Sequence, residues 1–137
     1  MKVSENCKPD SLIQYLGRAK RIDDLVMVFE TSLKKGIRPD DRLCGCLLSV
    51  VSYCESRDDL DKVTGCLQET NPRLVSFVKL LEEKETAFKK VKDEFKEILN
   101  ETEVEARRPF CNCLIDICRK RNLDERAHEL LCLGTMY

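Results

Sequence analysis

The chain predicts an all-α fold, a solenoid of stacked αα-hairpins, on three observations. The apolar pair Leu12-Ile13 recurs at Leu47-Leu48, 35 residues later. The cluster Asp23-Asp24-Leu25 recurs at the same step as Asp58-Asp59-Leu60, so the first two copies align without a gap. A composition of 36% charged and 42% hydrophobic residues, with only 5 Gly and 4 Pro, favours helices over strands. A period of this length, built from two short amphipathic helices, marks a unit that cannot bury its own apolar face and stacks on its neighbours.

A further copy comes late. Leu114-Ile115-Asp116 matches Leu12-Ile13-Gln14, and the 126–131 segment matches 24–29. Leu47 to Leu114 is 67 residues, three short of two periods, so one degenerate unit fits between them. The reading is an irregular N-terminal stub over 1–10 and a single repeat domain over 11–137. Its units are about 11–40, 41–75, 76–107 and 108–137, four helical pairs with the last cut short. Pro9 biases Lys8 away from helical geometry. With no polar cap evident at either end of the stack, the chain reads as a fragment of a longer solenoid.

Local signals place the helices. The first runs over about 11–20. The second runs over 23–35, with Asp23 as N-cap and Asp24 in the first turn, favourable against the helix dipole. Gly36 supplies a left-handed stop and Pro39 a barrier to continuation. Asp40 caps a third helix reaching about 53, and a fourth covers 57–69. Asn71-Pro72 is a strong start signal, Asn as N-cap and Pro at the first helical position. Beyond it Leu74, Phe77, Leu81, Phe88, Val91, Phe95 and Ile98 recur three to four apart for most of their length. That spacing fits one helix over 72–100, or two with a break near 83–86 at which Thr86 caps the second. Thr102 to Glu105 has the form of a capping box. The helix it opens pauses around Pro109 and continues to about 119, and a last helix covers 124–133. The charged 82–96 stretch reads as a solvated face, with Phe88, Val91, Phe95 and Ile98 packing in the core.

Charge and cysteine content exclude several function classes. With 24 basic and 25 acidic residues the net charge is −1, so any nucleic-acid contact rests on local patches. The longest apolar runs, such as 46–51, are too short to span a bilayer, and no membrane partner is expected. Nine cysteines, an odd count behind a polar 1–10 segment without a signal-peptide pattern, read as free thiols in a reducing compartment. Cys44-x-Cys46 and Cys111-x-Cys113 have the look of metal pairs, but residues two apart on a helix point to different faces. His128 is the one histidine and has no partner set for nucleophilic catalysis. Hence no catalytic residue, metal, cofactor or small-molecule substrate is expected.

The first unit resembles the pentatricopeptide repeat, a plant-organelle RNA-binding module. The resemblance is carried by Leu12-Ile13, by the segment 17–24, by Val28-Phe29-Glu30 and by 35–40. The segments 40–48, 112–116 and 125–127 look like the last repeats of chloroplast members that end in a small MutS-related domain, which this chain does not contain. The resemblance implies a chloroplast location and a superhelix whose first helices line a groove for single-stranded RNA, one base per repeat. It also implies the readers, by position: Asp10 with Asp40, Gly45 with Val75, and Asn112 with a residue beyond the chain. Asn112 is the typical reader among them, with a pyrimidine preference. The base-sandwiching positions fall on Cys7, Arg42 and Pro109.

The positions that commonly meet phosphate in the family fall on Arg18, Tyr53 and Lys120. Cations at helix C-termini are also favoured without a ligand, by roughly 0.3–1 kcal/mol each. The sequence therefore leads to a plastid RNA-binding segment engaged in rRNA or mRNA processing or stabilisation. Its expected partner is single-stranded RNA, bound weakly by this segment alone, and a parent chain with an endonuclease-like domain downstream fits the resemblance. The competing reading is a helical scaffold that mounts a neighbouring domain or a protein partner and touches no RNA.

Overall fold

The computed structural model describes residues 9–83 and 85–134, which form eight α-helices and no strand. They are α1 (Pro9–Arg18), α2 (Ile22–Lys34), α3 (Asp41–Tyr53), α4 (Arg57–Thr70), α5 (Pro72–Glu82), α6 (Phe88–Glu101), α7 (Val104–Lys120) and α8 (Asp124–Gly134). Helical hairpins therefore follow one another along the chain. The 72–100 stretch is two helices, parted at 83–87, and α6 starts after Ala87 with no side-chain cap, so Thr86 does not cap it.

Cap chemistry explains which boundaries were legible. Asp40 caps α3 by accepting from the Leu43 N–H at 2.9 Å, and Asn71 caps α5 by accepting from the Leu74 N–H at 3.2 Å. Helix α1 takes in Pro9 and Asp10, because a proline at the first helical position loses no intrahelical bond. The 1–10 stub is corrected at that end. Asp23 is not a cap: α2 begins at Ile22, Asp23 pairs with Lys62 of α4 at 2.6 Å, and Asp24 pairs with Arg21. Thr102 opens no capping box, since its buried hydroxyl donates back to the Ile98 carbonyl at 2.6 Å. Pro109 lies inside a continuous α7. The carbonyl it frees, on Glu105, belongs to an exposed residue.

Three helices end in the same left-handed turn. After α1 the Arg21 N–H reaches the Leu16 carbonyl and Lys20 takes φ 59°; after α7 the Leu123 N–H reaches the Cys118 carbonyl and Asn122 takes φ 60°. After α2 the Ile37 N–H reaches Ser32, with Gly36 at φ 81°. Each is the paired-hydrogen-bond helix stop that favours glycine, and only one of the three uses it.

Packing sets the layers. Helix α3 is the centre of the molecule: it touches α1, α4 and α7, and eight of its residues are buried on several faces. Gly17 lets α1 approach it, since a Cβ there would lie 2.6 Å from a Val50 methyl and 2.7 Å from the Tyr53 hydroxyl. Helix α7 lies directly along α3, as extensively as it packs on its own partner α8. The α5–α6 pair does not stand between them. Helix α5 packs on the outer helix α4 and carries α6 on its other side, where Phe77 stacks on Phe95 with ring centroids 5.9 Å apart. Arg73 gathers Glu94, Glu97 and Glu101 along α6. The repeat stack is thus α1, α3, α7 on the inside, with the degenerate pair set on the outer layer.

Arg126 fastens that outer pair to α8. Its side chain is 9% exposed, donates to the Glu83 carbonyl at 3.0 Å and the Thr86 carbonyl at 2.6 Å, and pairs with Glu129 at 2.9 Å. Arg126→Met is expected to cost about 2 kcal/mol, the loss of two charge-assisted bonds partly replaced by water. Urea unfolding checks the size, and hydrogen exchange should rise first at 83–90; unchanged exchange there would contradict the latch.

Candidate nucleic-acid interface

Because α1, α3 and α7 run parallel, their N-terminal ends share one edge of the inner surface and their C-terminal ends the other. The N-terminal edge holds a cavity of about 440 Å3 lined by all three helices. Asp10 from α1, Gly45 and Arg42 from α3, and Asn112 and Pro109 from α7 all line it. So three of the reader positions and two of the sandwich positions converge, although 67 residues separate Gly45 from Asn112. Cys7 lies outside the described residues.

Two positions do not join them. Asp40 is exposed, is not among the residues that line the cavity, and caps α3 through one carboxylate oxygen. Val75 is 4% exposed on α5 and lines a separate cavity with Leu67 of α4 and Val78, so it faces away from the groove. For Val75 the physical reason is the displacement of the third hairpin onto the outer layer.

The cavity rim is acidic. Asp10, Asp41, Glu103 and Glu105 face it, with Arg42 the one cation among the lining residues. One of these carboxylates is spent: Asp41 accepts from the Glu103 N–H at 2.7 Å, tying the start of α7 to the start of α3. Gln14, Ser49 and Phe110 also line the cavity. Gln14 and Ser49 stand one helical turn below Asp10 and Gly45, an i, i+4 relation readable from sequence once the reader positions are set.

The opposite edge gathers the cations Arg18, Lys20 and Lys120, with Glu55 and Asp59 beside them. Arg18 ends α1, Lys120 ends α7, and Tyr53 ends α3 between them. Lys120 Nζ sits 5.8 Å from the Tyr53 ring centroid, a cation–π contact, and Arg18 and Tyr53 line a smaller cavity with Cys54 and Ser56. Burial pushes the Tyr53 phenol above its ordinary range, and the nearby Arg18 charge offsets part of that. Its hydroxyl is buried against Gly17 without a hydrogen-bond partner among the described residues. The three positions that the resemblance assigns to phosphate therefore form one row across adjacent helices.

The thiols play another part. Cys111 Sγ points to the Leu130 carbonyl of α8 at 3.9 Å, while Cys113 lines the groove cavity toward α3, so the pair splits between faces. No group of three or more His, Cys, Asp or Glu able to hold a metal occurs among the described residues. No helix there is long and apolar enough to cross a membrane. Burial raises the thiols of Cys46, Cys66, Cys113 and Cys118 to about 11. A thiol that keeps its proton to pH 11 when folded but releases it near 9 when unfolded favours the fold below pH 9 and loses that contribution as pH rises through 11. Iodoacetamide at pH 8 is expected to label exposed Cys132 well before buried Cys46, Cys66 and Cys118, which should react only on unfolding; mass spectrometry of the labelled peptides checks it.

Comparison with known proteins agrees with the all-helical repeat architecture. Over the whole chain, 61% of aligned residues are identical to a chloroplastic pentatricopeptide repeat-containing protein of Arabidopsis thaliana. A second such Arabidopsis protein is 41% identical over 93% of the chain, and the chloroplastic pentatricopeptide repeat-containing protein ATP4 of Zea mays is 38% identical over 88%. The chain spans 25% of the length of the first of these, 18% of the second and 17% of the third. No family model matches the chain, and no solved structure matches it. The all-helical hairpin stack and these relatives together establish that the chain belongs to the pentatricopeptide repeat family, among its chloroplast members.

Proposed function

We propose that this segment binds single-stranded RNA along the surface of α1, α3 and α7, within a chloroplast protein that processes or stabilises rRNA or mRNA. The observation that carries the reading is the row Arg18, Tyr53, Lys120 on one edge of three parallel helices, opposite a cavity holding Asp10 and Asn112 on the other. Phosphates follow the Arg18–Lys120 edge and bases turn toward the cavity. Asn112, exposed and at the mouth of that cavity, is the base reader of the last unit. Asp40 contributes as a cap rather than as a reader. The segment acts as a binding module, and any endonuclease-like chemistry belongs to a small MutS-related domain of a longer parent.

Titration of fluorescein-labelled single-stranded RNA with the 137-residue chain at low salt tests this. Weak binding that falls steeply with salt supports it, and no binding up to about 100 μM, the weak end of non-specific association, overturns it.

One observation favours a second reading, a scaffold for a protein partner. A cavity of about 410 Å3 on the α7–α8 face is lined by Leu99, Val104, Ile115 and Leu131, with Val104 74% and Leu131 48% exposed. A chain that binds no RNA but loses a protein contact on Val104→Asp would take that reading.

A further inference from the structure

Apart from the residues that line the groove cavity, α8 carries a chemical pair that RNA binding does not use. His128 Nε2 stands 3.7 Å from Cys132 Sγ, one helical turn away, and both residues are exposed. Residues four apart on a helix face each other, whereas the members of Cys44-x-Cys46 and of Cys111-x-Cys113 do not. An imidazole nitrogen and a thiolate sulfur held by one tetrahedral zinc ion, at about 2.0–2.1 Å and about 2.3 Å, lie about 3.6 Å apart. The separation on α8 therefore suits joint ligation with no change of backbone. Two further features favour a cation there. Asp124 and Glu125, both exposed, lie one turn nearer the start of the helix, and Glu125 has the Glu-x-x-His spacing that metal-binding helices use. The last turn of α8 holds no basic side chain, although α1, α2, α5 and α7 each have at least one, so the negative end of its dipole lacks a counter-charge.

We propose that His128 and Cys132 form a binding site for a divalent cation of the zinc class. The neutral imidazole gives its Nε2 lone pair to the ion, and the Cys132 thiol gives its proton to solvent as the metal–sulfur bond forms. Water fills the remaining positions, and Glu125 adds negative charge from the next turn. Hard ions that take oxygen ligands, such as magnesium and calcium, are not held by this pair. Two protein ligands make an open site of modest affinity, unlike the four-ligand sites on which small domains depend for folding. The bound ion ties residues 128 and 132 together and puts positive charge on the last turn, so it stiffens the end of α8.

Titration of the reduced full chain with Co2+ at pH 7.5 tests this, because a thiolate on cobalt gives a charge-transfer band in the near ultraviolet. The wild-type chain is expected to bind one ion, displaced by Zn2+ and not by Mg2+. Cys132→Ser should abolish the band, and His128→Ala should weaken binding by about tenfold or more. In the unsubstituted chain, Zn2+ should slow iodoacetamide labelling of Cys132 by about fivefold or more and leave half-buried Cys54 unaffected. No binding up to about 1 mM overturns the proposal. So does a band that survives Cys132→Ser, an affinity unchanged in His128→Ala, or labelling of Cys132 that Zn2+ does not slow. Both side chains are exposed, so the substitutions leave the core intact; circular dichroism of each variant checks this, and the labelling needs no variant at all.

Discussion

Reversing Arg18 and Lys120 to glutamate together is expected to weaken single-stranded RNA binding by about tenfold or more and to flatten its salt dependence. Each phosphate contact on a single strand contributes about 0.7 to the slope of log affinity against log salt, so losing two removes about 1.4. Both side chains are exposed at the ends of parallel helices, and neither takes part in an ion pair among the described residues, so the change leaves the core intact. The single substitutions should each show about half the slope change. Salt titrations of the wild-type and double-variant chains read it directly, and an unchanged slope would remove the phosphate role from this edge. In that case the two cations serve only the helix dipoles, worth a few tenths of a kcal/mol each.

Truncating Phe110 has the largest expected effect on stability. The ring is fully buried on α7 and packs beside Gly45, where α7 meets α3. Phe110→Ala is expected to cost about 3–5 kcal/mol, the transfer free energy of the lost ring plus the cavity it leaves. Urea denaturation followed by circular dichroism gives the figure. A loss below about 1 kcal/mol would mean that the ring is not enclosed, and that α7 does not seat on α3 as described.

The repeat itself was legible because a helix stripe writes its period into the sequence: Leu47 and Leu114 are fully buried and Leu12 packs partly buried against the same core, at corresponding places on α3, α7 and α1. Asp40 and Asn71 were legible as caps because short side chains there reach the first free N–H groups. What the sequence did not disclose was which hairpin touches which. Connectivity orders the units but does not say that the α5–α6 pair moves to the outer layer and lets α7 return to α3. That single displacement brings Asn112 beside Gly45 and takes Val75 out of the groove.

Other misses have local causes. Asp23 reads as a cap only if the first helix ends in an ordinary loop. Lys20, in a left-handed conformation that sequence rules reserve for glycine, ends it early and starts α2 at Ile22. Thr102 looks like the start of a capping box, but burial makes the Ile98 carbonyl its nearer partner. Gln14 and Ser49 escaped because reader positions were carried over from a family pattern, while the cavity is also lined from the next turn of each helix.

The central claim is that RNA follows α1, α3 and α7 and not the outer layer. Ultraviolet crosslinking of 4-thiouridine RNA to the intact chain, with the crosslinked peptides assigned by mass spectrometry, tests it most directly. The account predicts crosslinks within 9–18, 41–53 and 104–120; crosslinks confined to α2, α4, α6 or α8 would contradict it.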